Sequence, residues 1–198
     1  MTTHAEPGDP APFRRCAIIG AGLIGSSLAH AARASGAAQT IVLHDADPDV
    51  RAEARALNLG DAVEEALAGA VAQADLVVVA TPVGAIASVI EAAAPHLAEG
   101  AVLTDVGSVK AAVCALAERV PPGVFFIPGH PVAGTEKSGP AAGFKELFQG
   151  RWCVLTPLDD ARPAYAAALA RLGAFWERLG STVEQMDAQH HDLALAVT

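Results

Sequence analysis

The residues near the start of the chain that are best suited to chemistry are three glycines in the spacing GxGxxG, namely Gly20, Gly22 and Gly25. This spacing is typical of a turn between a strand and a helix that binds the pyrophosphate of a dinucleotide. The first glycine permits the tight turn, the second lets the ligand approach the backbone, and the third lets helix and strand pack closely. The free N–H groups at the start of the helix then face the negative charge. The predicted cofactor contacts in this turn are Gly20, Gly22, Leu23, Ile24 and Gly25.

An acidic residue, Asp45, lies 20 residues after Gly25, at the end of a second apolar run. An acid at this position can accept hydrogen bonds from the ribose hydroxyls of an adenosine, and its charge repels a 2′-phosphate. No arginine adjoins Asp45, and Arg51 is the nearest one. The sequence therefore predicts NAD rather than NADP as the cofactor. The alternative is that Asp45 is only an acid at the start of the next helix.

Two further candidates follow predicted strands. Thr81, Pro82 and Val83 come at the end of the apolar run ADLVVVA, and Ser108 follows the next strand pattern. The carboxyl ends of the strands in an open parallel sheet face the ligand crevice, so all four residues are predicted at that edge. The first three either contact the cofactor or only turn the chain from strand to helix. Ser108 can cap a helix, contact a ligand, or do both.

His130 lies in a loop rich in glycine and proline, just past another strand pattern. A histidine at the ligand edge of the sheet can accept a proton near neutral pH. The pattern fits a histidine that is hydrogen-bonded within a rigid turn at least as well. Near the end of the chain, His190 and His191 are adjacent and therefore point to different sides of a helix. We interpret them as residues of the first helical turn rather than a metal pair, and no metal site is predicted.

Strand and helix patterns alternate along the chain. Short apolar runs are typical of strands buried on both faces of a parallel sheet, and three- and four-residue apolar steps are typical of helices. The alternation predicts an α/β fold of Rossmann type, a doubly wound and mostly parallel sheet. Strands are predicted at residues 15–20, 40–44, 75–80, 101–105, 124–127, 151–156 and 181–186. Helices are predicted at residues 23–35, 47–58, 81–94, 107–120 and 163–179, and from residue 187 onward.

These patterns divide the chain into three parts. Residues 1–13 hold three prolines and no apolar periodicity, which predicts a flexible tail. Residues 14–186 form the predicted dinucleotide-binding, Rossmann-like domain. Residues 187–198 are predicted to start an all-α domain that is truncated here, because the last helix pattern has no C-cap signal at Thr198. The chain is therefore interpreted as a fragment rather than as one whose tail exchanges with a partner subunit.

The net charge of the chain is −9, from 13 Lys+Arg and 22 Asp+Glu, with 52% hydrophobic residues. An acidic globular chain lacks the basic surface that binding to nucleic acid or to an anionic membrane requires. Residues 76–90 are uncharged, but the run is short for a membrane span and contains Pro82. The three cysteines, Cys16, Cys114 and Cys153, form no CxxC pair. They predict reduced thiols in a cytoplasmic protein.

Four segments, GAGLIGSSLA, VVVATPV, TDVGSVK and PGHPVAGTEKSG, resemble in order and spacing the prephenate/arogenate (cyclohexadienyl) dehydrogenases of tyrosine biosynthesis. HHDLALAVT is similar to the start of that family's dimerisation domain, so the resemblance covers about residues 14–198. It implies oxidative decarboxylation of a cyclohexadiene. A hydride passes from the hydroxyl-bearing ring carbon to NAD, carbon dioxide leaves the opposite carbon, and the ring becomes aromatic. It also implies a homodimeric full-length enzyme.

The resemblance implies roles for four residues. His130 would hydrogen-bond the ring hydroxyl and take its proton, and Ser108 would bind the same region and orient His130. Thr135 and Glu136 would contact the substrate, with Glu136 at the mouth of its pocket. The alternative for Glu136 is that it contacts no substrate and is a solvated carboxylate in a loop, beside Lys137. Whether the substrate is prephenate or arogenate stays open.

Two other functions remain as alternatives. A dehydrogenase of the hydroxyisobutyrate or 6-phosphogluconate type shares the glycine turn, and a non-catalytic NAD-binding module would need the turn alone. The family's serine–histidine–proline–histidine segment and its later substrate-binding arginine would follow Thr198, where this chain ends. The activity of this chain without them is left open.

Overall fold

The structure is a computed structural model that describes residues 10–196. Most of the predicted tail, residues 1–9, lies outside the described residues. The last residue of that predicted tail, Phe13, is not part of a tail at all: it begins the first strand and is fully buried. Its ring packs edge-on against Phe175, with the ring centroids 5.9 Å apart. The first strand therefore starts two residues earlier than predicted.

Among residues 10–196, six parallel strands form the main sheet. They are β1 (Phe13–Ile19), β2 (Ala38–His44), β3 (Ala62–Val63), β4 (Leu76–Val79), β5 (Val102–Asp105) and β6 (Phe125–Phe126). Their order is β3-β2-β1-β4-β5-β6, with every neighbouring pair parallel. After β1 the chain adds strands on one side of it, and from β4 onward it adds them on the other side. This switch point between β1 and β4 opens a crevice at the carboxyl ends of the two strands. The predicted Rossmann-type fold is confirmed.

Helices cover both faces of this sheet. Within the described residues they are α1 (Leu23–Ser35), α2 (Pro48–Ala56), α3 (Leu67–Val71), α4 (Val83–Ala93), α5 (Ala111–Cys114), α6 (Pro163–Arg178) and α7 (Ala188–Leu195). One apolar core joins Ile18 of β1 to Leu28 of α1 and Trp176 of α6. A second core on the opposite face joins Val77 of β4 to Ile86 of α4. None of these helices is long and apolar enough to cross a membrane.

Local signals that were readable in the sequence set several helix ends. α1 has the predicted bounds and ends at Gly36, whose positive φ of 65° is the left-handed conformation that a glycine adopts without strain. α2 begins after Asp47, whose side chain accepts a hydrogen bond from the backbone N–H of Asp49. Pro48 occupies its first turn, where its missing N–H costs nothing.

A second, smaller sheet departs from the prediction of a single, mostly parallel sheet. It contains β7 (Gly129–Pro131), β8 (Trp152–Leu155) and β9 (Thr182–Gln185). β7 pairs antiparallel with β8, and β8 pairs parallel with β9. Residues 129–131 were predicted as a loop because glycine and proline are depleted in strands, and no alternation marks so short an element.

The segment predicted as a helix from 107 to 120 differs most from the structure. Its α-helix is only Ala111–Cys114, followed by a 3-10 helix at Ala115–Arg119. Gly107 is instead part of a loop, where its N–H donates to the side chain of Asp105. The short elements β3 and α3 were not predicted, since two strand residues and five small apolar helical residues carry no periodic signal.

Candidate active site

The glycine turn connects β1 to α1 at the carboxyl edge of the main sheet. Gly20 has a positive φ of 104°, and a Cβ there would lie 2.5 Å from the carbonyl oxygen of Ala80. A Cβ on Gly25 would lie 1.9 Å from the carbonyl oxygen of Gly20. A Cβ on Gly22, in contrast, would meet no atom within 4 Å. The fold itself therefore requires the outer two glycines, whereas the backbone at Gly22 faces space that a ligand can enter.

Two helices begin at this crevice without a side-chain cap. α1 starts after Gly22 and α4 starts after Pro82, and neither has an acidic residue in its first turn. The first N–H groups of a helix carry partial positive charge and need acceptors. An anionic group bound here can supply those acceptors.

Asp45 lies at the end of β2 and is held by the glycine turn. Its Oδ2 accepts a hydrogen bond from the N–H of Ala21 at 2.9 Å, and its Oδ1 accepts one from the N–H of Asp47 at 3.0 Å. The capping residue of α2 is Asp47. Asp45 is therefore not the helix-capping acid of the alternative interpretation, and its carboxylate retains lone pairs for further donors. The guanidinium of Arg51 donates to the carbonyl oxygen of Asp45 at 2.7 Å.

A cleft of about 490 Å³ lies at the switch point of the sheet. Five of the predicted cofactor residues line it, namely Gly20, Gly22, Asp45, Thr81 and Pro82. The hydroxyl oxygen of Thr81 is buried and has no hydrogen-bond partner in the protein. A buried polar group without a partner is costly, which is consistent with a ligand supplying the partner. The other predicted residues, Leu23, Ile24, Gly25 and Val83, do not line this cleft.

A second cleft, of about 410 Å³, brings the predicted catalytic residues together. Ser108 and His130 both line it, together with residues of α7 that include Asp192. Thr135 and Glu136 are not among its lining residues. They lie in the exposed loop that follows β7, where Thr135 Oγ1 accepts a hydrogen bond from the N–H of Lys137 at 3.2 Å. Their contact with a substrate stays a prediction.

A buried ion pair that the sequence analysis missed holds this second cleft together. Asp105 and Lys110 are each 0% exposed, and Lys110 Nζ lies 2.5 Å from Asp105 Oδ2. The same carboxylate accepts the N–H of Gly107 at 2.7 Å and the N–H of Gly129 at 3.2 Å. Lys110 Nζ also donates to the carbonyl oxygen of Gly129 at 2.7 Å. The pair thus ties the loop of Ser108 to the strand of His130.

Burial and pairing act in opposite directions on these two charges. Burial raises the pKa of Asp105 and lowers the pKa of Lys110, whereas their contact favours the charged form of each. Three donors converge on the Asp105 carboxyl group, and hydrogen bonds of this kind favour its charged form.

His130 contacts a second histidine. Its Nδ1 lies 2.9 Å from Nε2 of His191, and His191 Nδ1 lies 2.8 Å from Oδ1 of Asp192. Burial, followed by the nearby His191 and Lys110, lowers the pKa of His130 to about 4. His130 is therefore neutral at pH 7, as a proton acceptor must be.

His190 and His191 lie in the first turn of α7, as predicted, but His191 has a contact that the sequence did not indicate. The two adjacent histidines do point to different sides of α7, since His190 is exposed and His191 is 0% exposed. The buried one meets His130, which is 61 residues earlier in the sequence. A histidine beside an aspartate at the start of a helix was the available signal, but nothing local indicated what it faces.

Comparisons with known proteins identify the family of the chain. Residues 28–185 match the family described as "Prephenate dehydrogenase, nucleotide-binding domain". A cyclohexadienyl dehydrogenase of Zymomonas mobilis is 45% identical over 186 residues, which are 94% of this chain and 62% of that protein. A prephenate dehydrogenase of Bacillus subtilis is 35% identical over 142 residues, or 71% of this chain and 38% of that protein. The chain thus spans less than two thirds of either relative.

Two solved structures have closely similar folds. The first is prephenate dehydrogenase from Aquifex aeolicus in complex with hydroxyphenyl propionate and NAD+, with a TM-score of 0.83 and 30% identity. The match covers 92% of this chain and 63% of that one. The second is arogenate dehydrogenase from Synechocystis, with a TM-score of 0.83 and 31% identity over 92% of this chain and 63% of that one.

Proposed function

The chain belongs to the prephenate dehydrogenase family, and we propose that it is the nucleotide-binding part of an NAD-dependent enzyme that oxidatively decarboxylates prephenate, arogenate or both in tyrosine biosynthesis. One observation carries this proposal: the segments that line the two clefts contact each other. Val83 directly follows Pro82 of the nucleotide cleft, and Gly107 directly precedes Ser108 of the cleft that contains His130. A Cβ on Gly107 would lie only 3.4 Å from Cγ2 of Val83.

NAD fits the residues of the first cleft. Gly22 offers open backbone to the pyrophosphate, Thr81 offers a hydroxyl without a partner, and Asp45 offers carboxylate lone pairs to the ribose hydroxyls. When bound, NAD supplies the hydride acceptor. The carboxylate of Asp45 would repel a 2′-phosphate, which favours NAD over NADP. The nearby Arg51 is already engaged with the carbonyl oxygens of Asp45 and Ala46.

His130 would act as the base in the second cleft. The substrate hydroxyl gives its proton to the neutral imidazole while its carbon loses a hydride and becomes a carbonyl. The bond to the carboxylate on the opposite ring carbon then breaks and releases carbon dioxide, and its electron pair passes through the ring to the carbonyl oxygen. The ring becomes aromatic, and the resulting phenolate takes back the proton from His130. Aromatisation supplies the driving force, so the protein mainly positions the substrate and polarises its hydroxyl. Ser108 would hydrogen-bond the same hydroxyl region, since it lines the same cleft as His130.

The test is NADH or NADPH formation by the purified chain with prephenate and with arogenate, each offered with NAD+ and with NADP+. We expect NADH from at least one substrate and a preference for NAD+. Turnover of a simple β-hydroxy acid instead would favour the hydroxyisobutyrate or 6-phosphogluconate type. Binding of NAD+ with no turnover of either substrate would mean either a severed catalytic half or a non-catalytic NAD-binding module. Turnover by a chain extended past Thr198 would then separate the two.

The base is tested by His130→Asn. General-base catalysis contributes about 10²–10⁴-fold, so we expect kcat to fall by that order. The dissociation constant of NAD+ should stay nearly unchanged, because His130 does not line the nucleotide cleft. Equal losses in turnover and in NAD+ binding would contradict the role of His130.

We also propose a cytoplasmic homodimer for the complete enzyme. Leu193 on α7 is 76% exposed and offers an apolar contact to another part of the protein. Cys16 and Cys153 are buried, and burial raises the pKa of both thiols, which suits thiols that stay reduced. Light scattering of the complete protein should give twice the mass of one chain, and a monomeric mass would contradict the proposal.

A further inference from the structure

Asp192 is the fixed end of a hydrogen-bond chain that reaches His130. Its Oδ1 accepts the N–H of Lys110 at 2.7 Å, and its Oδ2 accepts the N–H of Ala111 at 2.9 Å. Burial opposes its ionisation, but these backbone donors and His191 outweigh that effect and hold the pKa of Asp192 below its usual value. Asp192 is therefore a carboxylate, which can only accept hydrogen bonds. Since His191 Nδ1 lies 2.8 Å from its Oδ1, that nitrogen must carry a proton.

The proton on one ring nitrogen of His191 decides the state of the other. A neutral imidazole has one N–H and one bare nitrogen. When His191 carries a single proton and that proton is on Nδ1, its Nε2 is bare and can only accept. His130 Nδ1 lies 2.9 Å from it and must therefore be the donor. A neutral His130 whose proton is on Nδ1 has a bare Nε2.

We propose that His191 and Asp192 are positioning residues that fix His130 in the tautomer with the proton on Nδ1, so that Nε2 is the atom that takes the substrate proton. The identity of that substrate rests on the proposed function, whereas the tautomer does not. In free histidine the proton prefers Nε2, so the base would be blocked in its more common form without a partner for Nδ1. The arrangement has the same logic as an aspartate that holds a catalytic histidine in the required tautomer.

The same chain of groups also serves His130 after the proton has arrived. The charged imidazolium keeps its Nδ1–H on His191, and the carboxylate of Asp192 offsets the new charge. The other titratable group that acts on His130 is Lys110, which disfavours the charged form and is itself paired with Asp105. Neutrality of His130 at pH 7 is thus set by burial and these neighbours, and the choice of nitrogen is set by His191.

The proposal is tested first without substrate, by long-range ¹H–¹⁵N spectra of the ¹⁵N-histidine-labelled chain at pH 8. A bare imidazole nitrogen resonates far downfield of a protonated one, so each tautomer is read directly. The chain has seven histidines, and the signals of His130 are those that His130→Asn removes. We expect a protonated Nδ1 and a bare Nε2 for His130. A protonated Nε2 would overturn the proposal, whatever the chain turns over.

Variants of His191 then separate positioning from mere packing. His191→Leu keeps the buried volume but leaves His130 Nδ1 without an acceptor, so the population with the proton on Nε2 should rise. Partners that orient a metal-bound histidine are worth about 10–100-fold in activity. We expect a loss of that order in kcat, with little change in KM, because His191 acts only through His130. His191→Gln should recover most of it, since its side-chain oxygen can accept from Nδ1. His190→Leu, on the exposed neighbour, should change neither readout.

Two results would count against His191 in particular. An unchanged His130 tautomer in His191→Leu would mean that His191 does not set it, and failure of His191→Gln to recover kcat would mean that bulk rather than acceptance matters. If His191→Leu does not fold, the wild-type spectrum and His191→Gln still decide. If neither substrate is turned over even by a chain extended past Thr198, the proposed function is contradicted, while the wild-type tautomer is still read from the spectrum.

Discussion

The nucleotide cleft and the catalytic cleft differ in whether backbone or side chains form them. The nucleotide cleft depends on backbone: Gly20 and Gly25 leave no room for a Cβ, and two helix N-termini have no side-chain cap. The catalytic cleft depends on side chains: Ser108, His130 and Asp192 line it, supported by a buried ion pair and by the contact between His130 and His191. We therefore expect added atoms to disturb the first cleft and lost charges to disturb the second.

The two clefts also differ in how far apart in the sequence their hydrogen-bonded residues lie. Asp45 bonds to Ala21, 24 residues away, within a strand–helix–strand unit. Asp192 bonds to the N–H of Lys110 across 82 residues, and no local pattern joins them. The first kind of contact follows from spacing in one motif, whereas the second exists only when distant elements dock.

Removal of the buried positive charge of Lys110 should give the largest loss of stability. Lys110→Met leaves Asp105 buried without its partner, and breaking such a pair costs about 3–5 kcal/mol of unfolding free energy. Lys145, whose side chain is 60% exposed beside Glu146, is the matched control, and Lys145→Met should change stability by less than about 0.5 kcal/mol. Urea unfolding measures both. Similar losses in the two variants would show that the second cleft does not depend on its buried charge.

A Cβ added in the glycine turn should affect either stability or NAD+ binding, depending on which glycine receives it. Gly25→Ala forces a Cβ against the carbonyl oxygen of Gly20 and should cost about 1–3 kcal/mol of stability, as overpacking does. Gly22→Ala meets no protein atom, so stability should be unchanged while NAD+ binding weakens, because the Cβ enters the space of the ligand. Thermal unfolding and calorimetric titration with NAD+ separate the two effects. Unweakened NAD+ binding by Gly22→Ala would contradict this account of the cleft.

The pH dependence of stability should carry the signature of His130. Its pKa is about 4 in the folded chain and 6.5 in the reference state, so the unfolded chain binds more protons between these values. Stability from this group is present above pH 6.5 and is lost as pH falls through the folded pKa. His130→Asn should flatten this part of the profile. Unfolding measured from pH 4 to 8 in both proteins tests it, and parallel profiles would contradict the assignment.

Removal of either of two helix-capping side chains should cost the same, smaller amount of stability, but the two variants should lose different functions. Asp47 caps α2 beside the nucleotide cleft, and Asp187 caps α7, which carries His191. Replacement of either by Ala should cost about 1 kcal/mol. Asp187→Ala should also lower kcat, since it loosens the helix that holds His191, whereas Asp47→Ala should act mainly on NAD+ binding. The same change in kcat in Asp47→Ala and in Asp187→Ala would contradict the distinction between the two clefts.

The elements that were predicted correctly are those with a local physical cause. α1 could be placed because glycine turns bracket it at Gly22 and Gly36, and β4 because ADLVVVA is apolar on both faces. α5 was predicted too long, because Asp105 draws Gly107 into a loop. β7 was missed because a three-residue strand gains its stability from pairing with β8 rather than from its own residues.

The sequence by itself determined the α/β class, the switch-point crevice, and the contribution of Gly20, Gly22 and Asp45 to it, because backbone geometry and strand–helix alternation are local properties of the chain. It also identified Ser108 and His130 at the ligand edge. Only the tertiary structure decided that Lys110 is paired with Asp105 and that His191 faces His130. The physical reason is that a buried charge or a tautomer depends on its partner, and these partners come from elements that meet only in the folded protein.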